Sequence, residues 1–250
     1  MLGRAPPRRA LLRRAPPPSG LASGRRPRFP PGGGRPPRPP PGALGGRAPD
    51  AWRSGWTSKE RDEVLRLAKA QNRGVGHTDA DRAAMERAVD ALVAASLSTP
   101  PDLTADASGG NTDPDRLSAN WRLAWTSERE TLWLLERWPG PGDTRATTTQ
   151  AYQRIDVRAG TLSNAVVFGA SGNVFAVESE VEVMDQTRVD FRFRAARLEL
   201  RWPVEATLPI PPVGKGWFDN LYVDDTLRVA RDSRGDTLVV VRDDFSKVAY

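Results

Sequence analysis

The 250-residue sequence contains no cysteine and only one histidine, His77. Without cysteine the chain has no disulfide bonds, zinc–thiolate sites or thiol nucleophiles. The G-x-S-x-G, H-E-x-x-H and G-x-x-x-x-G-K-[ST] motifs are also absent, so the usual sequence signs of serine hydrolases, zinc peptidases and P-loop NTPases are missing. His77 stands in "GVGHTDA" between two predicted helices, and we interpret it as a surface loop residue. We predict no cofactor and no metal site.

Long apolar runs are missing as well. No segment approaches the roughly 18 consecutive apolar residues of a transmembrane helix. No apolar stretch of signal-peptide length precedes a small-residue cleavage site. We therefore predict no transmembrane span, and we expect any contact with a membrane to be peripheral.

Acidic residues are absent from the first 49 positions, which hold 11 arginines, 14 of the 23 prolines and 9 of the 22 glycines. Such a segment has too few apolar side chains to fold around a core. An acid-free, arginine-rich N-terminus is typical of an organelle transit peptide. We predict that residues 1–55 are a disordered transit peptide; the alternative is a basic arm that the protein retains.

The remainder of the chain is mildly acidic, although the whole sequence carries a net charge of +6. The N-terminal segment takes 11 of the 37 basic residues, which leaves 26 against all 31 acidic residues and a net charge of −5. Nucleic-acid binding depends on a basic surface, so it would rest on the N-terminal segment alone. We predict no nucleic-acid partner.

Residues 56–100 are predicted to form a helical N-terminal segment. Thr57 with Glu60 fits a capping box at the start of a first helix, and a second helix is predicted to begin after Thr78. The apolar positions of the second helix follow i, i+3, i+4, i+7 spacing: Met85, Ala88, Val89, Leu92 and Ser96. Residues 101–116 are predicted to be a polar loop.

From residue 117 to residue 250 the apolar pattern has a period of two, which is typical of strands. The predicted strands are 120–126, 150–157, 161–169, 172–183, 188–202, 216–223, 226–231 and 237–242, with a short helix over 128–137. Two helices followed by about eight short antiparallel strands indicate an α+β protein that is mainly β, either a sandwich or an up-and-down barrel.

One long hairpin favours the barrel. Pairing Val183 with Val189 places Glu180 opposite Arg192 and Glu178 opposite Arg194 on the solvent face. The apolar phase then slips at Ala195–Ala196, which indicates a β-bulge and a curved strand. An eight-stranded barrel encloses an interior that side chains fill or that holds one small ligand.

The motif "YVDD", Tyr222 to Asp225, matches a spelling that reverse transcriptases use for metal-binding carboxylates. Two-metal chemistry needs at least one further carboxylate and a large cleft for nucleic acid, and no other acidic motif of this kind is present. We predict instead that Asp224 and Asp225 lie in a turn between two strands, where short acidic side chains bond to the local backbone.

The sequence is rich in tryptophan, with eight residues against three tyrosines. Tryptophans in the β region either fill the interior or line a greasy pocket or a lipid-facing rim. We predict that a ligand would contact six inward positions: Trp121, Leu123, Val181, Phe191, Phe193 and Leu198.

Three spaced blocks resemble the plastid-lipid-associated protein (PAP)/fibrillin family, over about residues 58–242. The blocks are "LSANWRLAWTSERETLWLL", "YQRIDVRAGTLSNAVVF" and "LYVDDTLRVARDSRGDTLVVV". Their matching positions include Trp121, Thr126, Gln153, Asp156, Asn164, Tyr222, Asp224 and Arg228. Ala119 departs from the family pattern, which has glycine before the first tryptophan.

The resemblance implies a lipocalin-like barrel, in which those eight residues have structural roles. It also implies a non-enzymatic plastid protein that binds or organises isoprenoid or quinone-type lipids at the surface of thylakoids or plastoglobules. No catalytic residues are carried over, because the family has none that are established throughout.

Two other hypotheses remain open. One is a pocket enzyme, such as an isomerase or cyclase, that uses Asp156, Arg197 or Glu199 as acid–base groups, although alternation predicts that Arg197 and Glu199 point outward. The other is an RNA-binding module that depends on the basic N-terminal segment.

Overall fold

The computed structural model describes residues 58–97, 100–105, 112–137, 149–169, 171–201, 204–211 and 214–243. The predicted transit peptide, residues 1–55, lies outside these ranges. The helices of the described residues are α1 (Ser58–Ala70), α2 (Asp79–Ser96), α3 (Asp113–Leu117) and α4 (Arg129–Arg137), with a 3₁₀ turn at Asn72–Gly74.

The described strands form one antiparallel sheet. They are β1 (Asn120–Thr126), β2 (Gln150–Asp156), β3 (Thr161–Phe168), β4 (Asn173–Val183), β5 (Arg188–Leu200), β6 (Ala206–Ile210), β7 (Lys215–Val223), β8 (Leu227–Asp232) and β9 (Thr237–Arg242). The order is β4-β3-β2-β1-β9-β8-β7-β5-β6, and β4 also pairs with β5. The pairings therefore run in a ring of eight strands, and β6 extends from β5. The predicted mainly β fold with a few helices is confirmed.

Helix α2 begins where the sequence predicts it. Thr78 Oγ1 accepts a hydrogen bond from the backbone N–H of Asp81, and the Asp81 carboxylate accepts one from the Thr78 N–H. These two bonds satisfy N–H groups that a helix start otherwise leaves unpaired. The buried side chains of α2 are the predicted ones: Met85, Ala88, Val89, Leu92 and Ser96.

Helices α1 and α2 cover the outer face of β1 and β7–β9. Their buried side chains pack in one cluster with residues of the sheet, which include Trp125, Leu227 and Val239. Within the cluster, Val64 of α1 and Leu92 of α2 are fully buried. We call this cluster the outer core.

β-bulges decide which side chains reach each face of the sheet. In β1 the register with β9 shifts between Leu123 and Trp125. Without the extra residue, Trp121, Leu123 and Trp125 would all face the same way. The bulge keeps Trp121 and Leu123 on the inner face and turns Trp125 to the outer core.

The β4–β5 hairpin has the predicted register near its turn, where Val183 pairs with Val189 and Glu180 with Arg192. A one-residue slip would move the carboxylates of β4 to the inner face. The charges of β4 and β5 therefore stay on the outer face.

The predicted pairing of Glu178 with Arg194 is wrong. The bulge occurs one residue earlier than predicted, because Ser179 pairs with Phe193 while Glu178 pairs with Ala195. Arg194 is the extra residue, and it forms its ion pair with Glu180.

Two elements differ from the predicted pattern. Strand β6 pairs with the last part of β5. The sequence analysis predicts no strand over the residues of β6. Helix α3 begins within the predicted polar loop 101–116 and ends one residue beyond it; the carboxylate of Asp115 accepts bonds from the Thr112 hydroxyl and N–H, and Pro114 occupies the first turn. A proline is compatible with the first turn of a helix, so this cap supports a helix too short for periodicity to reveal.

Candidate functional site: a cavity inside the ring of strands

A cavity of about 600 Å³ lies on the inner face of the ring. Its walls are mainly apolar, and all eight strands of the ring contribute to them. The apolar lining residues include Leu123, Leu162, Phe175, Val177, Phe191 and Phe193.

One end of the ring is filled by side chains. Leu103, Leu117, Trp121 and Val189 are buried there in a single cluster. The Trp121 indole N–H donates to the backbone oxygen of Leu117, at 3.0 Å. We call this end the floor of the cavity.

The opposite end carries the mouth. The lining includes Gly214–Gly216 at the start of β7, Asp232–Arg234 in the β8–β9 turn, and Thr131 and Leu134 of α4. Glu128, just before α4, also lines this end, and burial raises its pKa although the Thr131 hydroxyl donates to it at 2.8 Å. The mouth therefore mixes charged and apolar groups.

Two glycines allow close contact between β5 and β7 at the mouth. A Cβ atom on Gly216 would lie 2.9 Å from the Phe191 ring, and one on Gly214 would lie 2.9 Å from the Phe193 ring. Real Cβ atoms do not approach other atoms so closely. Glycine at these positions gives both rings the room they need along the cavity wall.

A chain of polar side chains crosses the cavity near its floor. The Arg228 guanidinium donates from Nη1 to Gln153 Oε1 at 2.5 Å, and Gln153 Nε2 donates to Asn164 Oδ1 at 2.8 Å. The guanidinium carbon of Arg228 also lies 5.1 Å from the centre of the Phe218 ring and 6.0 Å from that of Trp121. All three polar side chains line the cavity.

Arg228 is fully buried, and its Nε and Nη2 atoms have no hydrogen-bond partner among the described residues. Among the described residues, no carboxylate forms an ion pair with it. Burial lowers the pKa of Arg228 to about 9, because removal from water disfavours the charged form. The side chain therefore stays positively charged at neutral pH.

The turn before β8 fixes the direction in which Arg228 points. The Asp224 carboxylate accepts hydrogen bonds from the backbone N–H groups of Thr226 at 2.6 Å and Leu227 at 2.7 Å, and from the Tyr222 hydroxyl at 2.7 Å. From that start, alternation turns Leu227 to the outer core and Arg228 to the cavity. The prediction of a structural turn at "YVDD" is confirmed.

Burial alone would raise the pKa of Asp224. Hydrogen bonds from Thr226, Tyr222 and Leu227 outweigh that effect and hold the pKa of Asp224 below its usual value. Asp225 instead faces Arg116, with 3.1 Å between its Oδ1 and Arg116 Nε. The two neighbouring acids thus serve different contacts.

Of the six predicted ligand contacts, Leu123, Phe191 and Phe193 line the cavity. Trp121 and Val181 pack in the apolar cluster that includes the floor. Leu198 pairs with Phe175, a lining residue, so it shares the inner face near the mouth. Their contact with a ligand stays a prediction.

The eight motif residues divide into two groups. Gln153, Asn164 and Arg228 form the polar chain inside the cavity. The sequence analysis gave these three residues structural roles and did not place them in the cavity. The other five bond to nearby backbone or side chains, as the Thr126 hydroxyl does to Thr237 O at 3.2 Å and Asp156 does to the N–H of Ala159 at 2.9 Å. Alternation along "LRVA", residues 227–230, is the sequence signal that Arg228 lies on the opposite face of the sheet from Leu227 and Val229.

The residues of the alternative enzyme hypothesis do not meet in the cavity. Arg197 forms ion pairs with Glu178 and Glu199 on the outer face, and Asp156 lies at the end of β2 away from the mouth. His77 is half-buried rather than a free surface residue; its Nδ1 lies 2.6 Å from Gly74 O, and its ring centre lies 5.8 Å from that of Trp125.

The described residues contain neither a metal-binding cluster nor a membrane-spanning helix. No cluster of three or more histidine or acidic side chains has the arrangement of a metal site. No helix in this part of the chain has both the length and the apolar character to cross a membrane.

Comparisons with known proteins match the pattern of the three sequence blocks. The PAP/fibrillin family model matches residues 59–241. "Probable plastid-lipid-associated protein 11, chloroplastic" of Arabidopsis thaliana is 36% identical over 185 residues, which are 74% of this chain and 79% of that protein. "Probable plastid-lipid-associated protein 12, chloroplastic" of the same plant is 29% identical over 142 residues, 53% of this chain and 34% of that protein. The predicted resemblance is confirmed: the chain belongs to the PAP/fibrillin family.

Proposed function

We propose that the chain is a non-enzymatic plastid protein that holds an isoprenoid or quinone-type lipid in the cavity. In this proposal the ring of eight strands is a lipocalin-like barrel, and the protein docks peripherally on thylakoids or plastoglobules. The printed names of the two relatives, which are plastid-lipid-associated and chloroplastic, support this location. The arginine-rich composition of residues 1–55, whose first 49 positions hold no acidic residue, supports import by a transit peptide.

The observation that carries the proposal is the cavity itself. Its volume of about 600 Å³ falls within the range of roughly 300–1,000 Å³ that ligand pockets occupy. Its walls bring aromatic and aliphatic side chains from both halves of the sheet to one space. Transfer of an apolar chain from water to such walls is favourable in proportion to the area that it buries.

The surroundings of the mouth support lipid docking. Val204, Leu208 and Ile210, in and just before β6, are large exposed apolar residues, and Trp133 of α4 is 50% exposed. The register places Leu208 beside Leu198 and Ile210 beside Ala196, so β6 continues the inner apolar face beyond the ring. Tryptophan is well suited to the boundary between lipid and water.

The interior favours binding over catalysis. General acid–base catalysis needs a titratable side chain positioned within reach of the reacting group. Among the described residues at the floor of the cavity, Arg228 stands beside two amides, Gln153 and Asn164, which do not titrate. This supports a carrier or scaffold rather than an isomerase or cyclase.

The test is lipid analysis of the full chain expressed in plastids. We expect solvent extraction and mass spectrometry of the purified protein to give an isoprenoid or quinone-type lipid in a fixed ratio to protein. We also expect the protein to sediment with thylakoids or float with plastoglobules and to wash off at high pH. A lipid-free protein that stays in the soluble stromal fraction would contradict the proposal.

A further inference from the structure

We propose that the cavity binds its lipid head-inward, with an oxygen acceptor of the lipid on the Nε and Nη2 atoms of Arg228. The preferred acceptor is an ionised oxygen such as a carboxylate. The inference rests on the proposed function, because it requires a lipid in the cavity, and it adds a polar recognition point to it.

Two nitrogens of the Arg228 guanidinium, Nε and Nη2, have no hydrogen-bond partner among the described residues. The side chain is fully buried, and in the described part of the chain only its Nη1 has a partner, Gln153. A buried donor without a partner is destabilising, and more so when the group is charged. The lining of the cavity includes Arg228, and no described residue accepts from two of its buried N–H groups, so a ligand oxygen beside the guanidinium would supply the missing acceptor.

The buried guanidinium of Arg228 also carries a positive charge that a ligand could neutralise. The aromatic rings of Phe218 and Trp121 give the guanidinium a weak cation–π environment, but within the described part of the chain no carboxylate compensates it. An arginine binds carboxylates through two parallel hydrogen bonds. An ionised ligand oxygen would neutralise the buried charge, whereas a quinone carbonyl would supply the hydrogen bonds alone.

Arg228 lies deep in the cavity, far from its mouth. Val223 pairs with Arg228 close to the β7–β8 turn, while Asp232 lines the mouth four residues further along β8. At about 3.3 Å per strand residue, Arg228 lies roughly 13 Å inside the mouth. A head group at this depth leaves the apolar tail along Phe191 and Phe193 and directs its end to the mouth.

The Gln153–Asn164 pair holds the site in place. Gln153 Oε1 accepts from Arg228, and Gln153 Nε2 donates to Asn164. This chain fixes the amide orientation of Gln153 and holds the guanidinium through Nη1, which leaves Nε and Nη2 without an acceptor among the described residues. The two amides come from β2 and β3, across the ring from β8.

The experiment measures the affinity of the full chain for three probes: palmitic acid, a prenylated benzoquinone and hexadecane. The variant is Arg228→Met, and the matched control is Arg192→Met, which replaces an exposed arginine on the outer face of β5. Since a hydrogen bond to a charged group contributes about 1.5–3 kcal/mol, we expect Arg228→Met to lower the affinity for palmitic acid by roughly 10- to 100-fold. The affinity for the quinone should fall less, and the affinity for hexadecane should not change.

A second readout does not depend on the variant. In wild-type protein, ¹³C NMR of carboxyl-labelled palmitic acid should show a lower pKa for the bound carboxyl than for the free acid, since a nearby cation favours the ionised form. A raised pKa would overturn the inference. Unchanged palmitic acid binding in Arg228→Met would mean that water alone satisfies the arginine, and equal weakening of all three probes would mean that Arg228 only shapes the cavity. If wild-type protein binds none of the three, the proposed function fails as well.

Discussion

The two faces of the same sheet bury apolar side chains in different ways. On the outer face, α1 and α2 cover β1 and β7–β9, and side chains such as Leu92 and Trp125 are fully buried. On the inner face, the floor is packed in the same manner, but the upper part encloses about 600 Å³ with half-buried phenylalanines and one buried arginine.

The difference separates stability from function. Protein interiors normally pack as densely as organic crystals, and the outer core follows that rule. The inner face departs from this dense packing, because small residues such as Ala151 and Ala230 line the cavity where larger side chains would fill part of its volume. We infer that the outer core stabilises the fold, and that the cavity is maintained at some cost in stability because a ligand fills it.

The largest effect is expected in the outer core. Leu92→Ala removes a fully buried side chain between α2 and the sheet and should lower the free energy of unfolding by about 2–5 kcal/mol. Urea denaturation measures the change, and lipid binding by the folded fraction should be unaltered. A loss below about 1 kcal/mol would mean that α2 does not pack on the sheet as described.

The next effect concerns the turn that directs Arg228 inward. Asp224→Asn weakens the bonds to Thr226 and Leu227 and should cost about 1–3 kcal/mol. Because the folded-state pKa of Asp224 is lowered, its contribution is complete above the unfolded-state value near 3.9 and is lost as the pH falls through the folded-state pKa. Thermal unfolding between pH 7 and pH 2 should therefore show a shallower acid dependence in Asp224→Asn than in wild type, and equal slopes would contradict this role.

A small effect on stability is expected inside the cavity. Arg228→Met removes a buried charge for which the described ranges supply no carboxylate partner, and such replacements are often neutral or stabilising. We expect the free energy of unfolding to stay within about 1 kcal/mol of wild type. Chemical denaturation that shows a loss as large as that of Leu92→Ala would place Arg228 in the stabilising core and remove the contrast between the two faces.

The smallest effect on stability is expected at the rim. Leu208 is an exposed residue of β6, so Leu208→Ser should change the free energy of unfolding by less than about 0.5 kcal/mol. It should nevertheless reduce cosedimentation with vesicles of plastid galactolipids, because it removes apolar surface beside the mouth. Thr207→Ala, in the same strand, serves as the control, and equal binding by both variants would exclude β6 from docking.

Regular patterns made most of the fold predictable. The spacing of Met85, Val89 and Leu92 predicted the buried face of α2, and alternation from Phe175 to Val183 predicted the register of the longest hairpin. The position of the bulge was missed by one residue because Ala195 and Ala196 fit either face, so hydrophobicity could not locate the extra residue. Helix α3 depends on one cap, and β6 on its pairing with β5, and neither has a period to detect.

The cavity was only partly predictable. Alternation identified inward aromatic residues such as Phe191, but the closing of the ring and the packing of its floor determine which of them reach open space. Arg228 was recognised as a motif residue, and alternation separates it from Leu227 and Val229, but the sequence does not show which of the two faces is the inner one. Among the described residues its Nε and Nη2 lack a partner, which depends on strands distant in sequence, and no local pattern encodes it.

The most direct test fills the cavity without changing anything else. Ala151 lies on the inner face and lines the cavity, whereas Ala195 is exposed on the outer face of β5. We expect the full-length Ala151→Phe variant, purified from plastids, to lose its bound lipid in mass spectrometry, while Ala195→Phe keeps the wild-type ratio of lipid to protein and both remain folded by circular dichroism. Equal lipid content in the two variants would contradict the claim that the interior of the ring is the lipid-binding site.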